Sequence, residues 1–172
     1  MGINVFPTPT AGGGKILKKI TLTSGTSWTV PAGVTDINVL TVGGGGGAGG
    51  ALTNYNNSNS QADGSSGSCN WSTLTVTPGS SISYSIGAGG SGGNGWNGGG
   101  AGGTTTFTGA TSSSGGAGGA ASFRDQIPYG ASGRSGFADN HGRSSGYNQG
   151  LSGDAPNGGS GGSGWIEIEY WV

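Results

Sequence analysis

The chain has 172 residues and 44 glycines, about a quarter of the sequence against roughly 7% in ordinary proteins. Apolar residues make up 30%, charged residues 8%, and the formal net charge is -1, so there is no electrostatic footprint for nucleic acid or an anionic membrane. A single cysteine, Cys69, excludes an internal disulfide, and no CxxC or Cys/His cluster exists to hold zinc.

Residues 1–14, with Phe6, Pro7 and Pro9, read as an extended attachment arm, because proline fixes φ and biases its predecessor toward extended geometry. They lack the apolar core of a secretory signal, and no stretch approaches 18 continuous apolar residues, so a soluble cytosolic product is expected. From Lys15 the pattern turns to strands: KKITLTS, TSWTVPAG and TDINVLTV, with Ile37, Val39 and Thr41 alternating against Asp36, Asn38 and Leu40. NWSTLTVTPG and SSISYSIGAGG follow, joined at Pro78-Gly79, with Ile82, Tyr84 and Ile86 on one face. TTTFTGA and GWIEIEYWV complete the set, the last placing Ile166, Ile168 and Tyr170 opposite Glu167 and Glu169. No helical periodicity appears. The expected fold is all-β, a small β-sandwich base spanning, with its glycine runs, a single domain over 15–172.

The glycine runs at 43–50, 87–103, 115–119 and 158–164 leave strand ends and return into strands, so they project from one end of the base. Collagen is excluded by the six prolines and the lack of a strict G-X-Y period along the chain. Polyproline II geometry makes no internal hydrogen bonds, but several such helices without side chains approach closely enough to bond laterally. Packed polyglycine II helices are therefore expected over mobile loops.

Three polar segments lie between the runs, at 51–68, 94–97 and 122–157. The last gathers Phe123, Arg124, Tyr129, Arg134, Phe137, His141, Arg143 and Tyr147, and the others supply Tyr55, Asn56 and Trp96. Aromatics with arginine and asparagine are the composition of a recognition surface. The bland alternative is that loop aromatics pack down to hold long loops in place.

Motifs with catalytic associations fail on context. GxSxG occurs at 89–93, 142–146 and 158–162, as expected by chance in a chain this rich in glycine and serine, and no helix follows to make a nucleophile elbow. Gly87 to Gly92 fits GxGxxG without the helix that would hold a pyrophosphate, and Ile16 stands where a phosphate loop needs Ser or Thr after GGGK. Asp125, Asp139 and Asp154 read as turn residues rather than glycosidase carboxylates. No enzyme activity, cofactor or metal is expected.

The opening WTVPAGVT followed by GGGGG, the hairpin VTPG to IGAGG, the re-entry GGTTTF and the close GGSGGSGWIEIEYW resemble the glycine-rich domain of bacteriophage tail-fibre and receptor-binding proteins, over most of residues 26–172. The alternation of glycine motifs with polar segments is also similar to the distal tail-fibre adhesins of T-even-type phages. The resemblance implies a polyglycine II scaffold at 43–50, 87–103, 115–119 and 158–164. It implies receptor loops at 51–68, 94–97 and 122–157, and a location in the virion at the tail fibre or tail tip. The partners it implies are a bacterial outer-membrane protein or surface saccharide, and another tail or fibre protein held through residues 1–30 and the base, as a monomer or homotrimer. Tyr55, Asn56, Trp96, Phe123, Arg124, Tyr129, Arg134, Phe137, His141, Arg143 and Tyr147 are then the receptor-binding candidates, the arginines meeting acidic or phosphate groups. The other readings are a structural cap with passive loops and, less consistent with irregular charged segments, an ice-binding protein built from glycine helices. This chain is shorter than the T-even adhesins and has fewer glycine motifs.

Overall fold

The structure, a computed structural model, describes residues 15–50, 63–94, 97–120 and 158–172. These hold seven strands and no helix: β1 (Leu17–Leu22), β2 (Ser27–Thr29), β3 (Asp36–Val42), β4 (Cys69–Thr75), β5 (Ser81–Ser85), β6 (Thr106–Phe107) and β7 (Trp165–Trp171). One antiparallel sheet has the order β1-β7-β3-β4 and the other β2-β5-β6. The all-β expectation is met; β2, β3, β5, β6 and β7 fall within the stretches marked from sequence, and β1 and β4 each begin one residue earlier, at Leu17 and Cys69.

Alternation fixes the register. β3 lies between β7 and β4 with Val39 opposite both Ile168 and Ser72. That places Ile37, Val39, Ile166 and Ile168 on one face, all at 1% exposure or less. The facing sheet contributes Tyr84 and Phe107, stacked with centroids 6.4 Å apart, while Trp28 meets Tyr170 at 6.0 Å. Val30 and Val34, flanking the Pro31–Gly33 turn, close the core from the linking segment. Each of these aliphatic side chains contributes about 1.5–3 kcal/mol by burial. The cluster is small, as the composition requires. On the outside of the larger sheet, Lys19 Nζ lies 2.7 Å from Glu167 and 3.5 Å from Glu169. The Glu167 side chain is only 11% exposed.

Six glycine-type segments continue the strands beyond the base, with the period of a three-residue turn. Residues 43–50, which extend β3, sit at the centre and are entirely buried. Their N–H groups point in turn to three neighbours. Gly43 and Gly46 donate to Ser68 and Ser65, Gly44 and Gly47 to Gly103 and Gly100, and Gly45 and Ala48 to Gly162 and Gly159. All three acceptor segments run antiparallel to the centre. Two parallel segments donate back: Gly90 and Gly93 to the carbonyls of Gly45 and Ala48, and Gly116 and Gly119 to those of Gly44 and Gly47. Neighbours also bond one another, as in Gly100 to Ser91 at 2.7 Å and Gly161 to Gly90 at 2.8 Å. This is polyglycine II packing, in which every third residue addresses the same neighbour. Residues 63–68, read from sequence as the end of a polar loop, belong to this scaffold.

The side chains obey the same triplet. Ala88, Ser91 and Asn94, then Gly98, Ala101 and Thr104, then Ser114, Ala117 and Ala120, then Ser160 and Ser163 are exposed, and each of those series has two glycines between successive members. Four of the five peripheral segments are thus local x-G-G repeats with x turned outward, the exception being 63–68, DGSSGS, although no single period runs through the chain. The central run has no outward side. A Cβ on Gly46 would collide with the Ala117 carbonyl and one on Gly47 with the Ser91 carbonyl, both backbone atoms that cannot step aside. The non-glycine member, Ala48, occupies the remaining third of the turn, and its methyl is fully buried.

Base and bundle are joined by a collar of buried hydroxyls. Thr105 Oγ1 donates to the Val42 carbonyl at 2.7 Å and accepts the Gly87 N–H at 3.0 Å. Thr41 Oγ1 and Ser113 Oγ are 2.8 Å apart, with Ser113 placed to donate to the Thr41 carbonyl and Thr41 to that of Thr111. Thr41, Thr105 and Ser113 are all at 0% exposure, so the backbone groups where chain direction leaves the sheets are satisfied without water.

Two outcomes follow from this packing. Gly47→Ala should cost more than about 4 kcal/mol or prevent folding, whereas Ala117→Ser, at an outward position, should stay within about 0.5 kcal/mol; chemical denaturation of both variants measures this. Lys19 is held above its ordinary pKa of 10.5, chiefly by its hydrogen bond to Glu167 and against the opposing effect of burial. A raised lysine stabilises the fold fully below about pH 10.5 and loses that contribution as pH rises through the raised value. The stability gap between wild type and Lys19→Met, at most about 1 kcal/mol because Lys19 is half exposed, should therefore hold at neutral pH and close between about pH 10 and 12.

Candidate functional site

The bundle has two unlike ends. At the base end every glycine segment is contiguous with a strand or with the Thr105–Ser113 bridge, which fixes its position. The far end is where the described residues stop. Gly50 donates to the Asn97 carbonyl, Gly93 to that of Ala48, Gly119 to that of Gly47, and Ala48 to that of Gly159. The residues next to each break, Gly50 and Asp63, Asn94 and Asn97, Ala120 and Gly158, therefore lie within about a turn of one another along the bundle. Three chain segments, 51–62, 95–96 and 121–157, start and finish at this one end.

Asn94 and Asn97 clamp the shortest of these connections. The Asn97 N–H donates to the Asn94 carbonyl at 2.9 Å and the Asn97 amide nitrogen to the Asn94 side-chain oxygen at 2.8 Å. The sequence marked NGWN as a polar insertion. The pairing of its two asparagines across a reversal became visible only once 87–94 and 97–103 were seen to run antiparallel.

All eleven sequence-derived receptor candidates, Tyr55, Asn56, Trp96, Phe123, Arg124, Tyr129, Arg134, Phe137, His141, Arg143 and Tyr147, lie outside the described residues. Their flanking chain is what is seen, and it gathers at the far end of the bundle. Ser91 and Ser160, the central serines of two GxSxG matches, take outward positions on glycine helices, and Gly87 to Gly92 runs as such a helix. Among the described residues no group of three His, Cys, Asp or Glu side chains stands close enough to hold a metal ion.

The opposite end of the base has a different character. Ile16 and Val172 bond each other through both backbone pairs, at 2.7 and 3.0 Å, and Leu17 lies opposite Trp171. Their exposures are 61%, 50%, 49% and 43% for Ile16, Val172, Leu17 and Trp171, so four of the five exposed large apolar side chains among the described residues meet at one corner. A shallow depression of about 260 Å³ lined by Lys15, Gly33, Thr35, Asp36 and Trp171 adjoins it.

A sandwich carrying a laterally bonded glycine bundle matches a family model. The model, described as a glycine-rich domain, covers residues 21–170. The chain belongs to this glycine-rich domain family. No curated protein shows a significant match to it. The matched range begins at Thr21, near the end of β1, and runs through the base and the bundle to Tyr170 in β7, so the glycine-rich domain is nearly the whole of the chain.

Proposed function

We propose that this glycine-rich domain is a tail-fibre tip adhesin of a bacteriophage, recognising a receptor on the bacterial surface through the segments at the far end of its bundle. One observation carries the reading. The three segments whose composition suits recognition are inserted where the glycine helices end away from the base, and nowhere else among the turns of the fold. Ordinary β-turns at Pro31–Gly33, Pro78-Gly79 and Thr108-Gly109 connect the strands instead.

The physics of display supports the same reading. Recognition loses affinity to the ordering of loops on binding, at about 0.5–1.5 kcal/mol for each side chain immobilised. A bundle tied laterally at every third residue holds the loop ends fixed before any contact forms. Aromatic residues and arginines in those loops, above all Phe123, Tyr129, Phe137 and Tyr147 with Arg124, Arg134 and Arg143, would then serve as anchors. The receptor is an outer-membrane protein or a surface saccharide.

The exposed apolar corner at Ile16, Leu17, Trp171 and Val172 lies at the other end of the molecule, and would seat the domain on another tail component. An adhesin needs such a division, with attachment at one end and recognition at the other. A passive cap needs only the attachment end.

Binding of purified protein to host cells, and its block of phage adsorption, test the reading. Alanine replacement of the aromatic and arginine residues in 122–157 should weaken cell binding at least about tenfold, with the melting temperature unchanged. A folded wild type that attaches to a tail component but binds no susceptible host would leave the cap.

A further inference from the structure

Among the described residues the larger sheet ends in two unpaired edges, β1 and β4, which differ in chemistry. β1 carries Lys18 and Lys19 along its length, the usual protection of an exposed edge against pairing. β4, Cys69–Thr75, is seven residues long with neither charge nor proline. Its hydrogen-bonded pairs with β3 continue from Gly43–Ser68 and Thr35–Val76. The alternate residues Cys69, Trp71, Thr73 and Thr75 therefore direct their N–H and C=O groups away from the sheet. All four are exposed, Trp71 at 49%. Alongside runs a groove of about 320 Å³ whose apolar lining is Leu74, Val76 and Ile82, open because β6 stops at Phe107, where the chain turns at Gly109 with φ of +90°.

We infer that β4 is a self-pairing edge, and that two copies of this chain join through it in solution as an antiparallel pair about a two-fold axis. The choice of a second copy rests on charge and register. An antiparallel pairing centred on Ser72 matches the strand to itself over all seven residues. It sets Cys69 opposite Thr75 of the other copy, Trp71 opposite Thr73, and Ser72 opposite Ser72, with no like charges in register. The four outward residues then form about eight intermolecular hydrogen bonds, two for each hydrogen-bonded pair. The two Trp71 side chains become diagonal neighbours on the outer face, within reach of each other, which covers the one large exposed apolar side chain among the described residues outside the attachment corner. The same operation on β1 would bring lysines together. The product is an eight-stranded sheet with bundles at opposite ends, an isologous contact that closes on itself. It does not rest on what the loops recognise, and because it sets the loop end of each copy on the side of the other's attachment corner, it is an assembly of the free chain and not of one seated at a fibre tip.

Sedimentation equilibrium on the full chain tests this, with wild type, Thr73→Lys, Thr73→Pro and Lys19→Thr compared. Thr73→Pro removes an outward N–H and leaves the backbone bonds to β3 in place, both Thr73 variants losing only the exposed Thr73 Oγ1 bond to Asn38 Oδ1 at 2.9 Å, and Thr73→Lys sets two lysines diagonal to each other across the pair. Wild type and Lys19→Thr should be dimers at tens of micromolar. Both Thr73 variants should dissociate at least about tenfold more readily, with unchanged circular dichroism and a melting temperature, measured where all are monomeric, lowered by no more than the loss of one exposed hydrogen bond, about 1 kcal/mol. A wild type that stays monomeric at millimolar concentration, or a dimer or trimer unaffected by either Thr73 variant, would overturn the proposal.

Discussion

Everything in this molecule depends on backbone approaching backbone with nothing between. A glycine segment in polyproline II geometry cannot satisfy its own N–H and C=O groups, so it is ordered only where neighbours lie close enough to bond it. Segment 43–50 meets that condition on every side the described residues reach, and a methyl at Gly46 or Gly47 would strike a carbonyl of the next segment. The glycine content is therefore a packing requirement.

The bundle is not self-sufficient. Fixing one residue's backbone costs about 1–2 kcal/mol, and one intramolecular hydrogen bond returns about 0.5–1.5 kcal/mol net. With one or two lateral bonds per residue and almost no apolar burial, the glycine segments alone come out near zero. The difference is supplied by the base, whose Ile37, Val39, Ile166, Ile168, Tyr84 and Phe107 form the apolar core and whose strands set the starting point and direction of each glycine segment. The collar of Thr41, Thr105 and Ser113 ties base to bundle across the junction, through hydroxyl bonds to the carbonyls of Thr41 and Val42 and from the N–H of Gly87. The levels of the fold are linked in this way. The core orders the strands, the strands aim the glycine helices, and the helices hold the flanks of the three polar segments together at a distance from the base.

Much of the base was legible from residue pattern. Alternation in DINVLTV and WIEIEYW placed their inward faces, because a buried sheet face demands period two whatever strand lies beside it. The runs at 43–50 and 158–164 were legible as scaffold for the reason just given. The segment 63–68 was not, because DGSSGS reads as a polar loop by composition. Only its Gly64 and Gly67, turned toward the carbonyls of Gly46 and Gly43, show why it joins the bundle. The x-G-G triplets in AGGSGGN and SGGAGGA were also present in the sequence. Without the bonded neighbours of each segment there was no reason to assign their small side chains to the outside.

The sequence by itself determined the class of structure: an all-β base of alternating strands, glycine runs dense enough to need one another, and polar insertions unlike both. It determined these because local periodicity and the absence of side chains act on each segment separately. The tertiary structure decided which segment is central, which neighbours run parallel or antiparallel to it, and that the three insertions share one end. Those are relations between distant segments, set by strand order and by three-residue hydrogen-bond phasing. No residue carries that information alone.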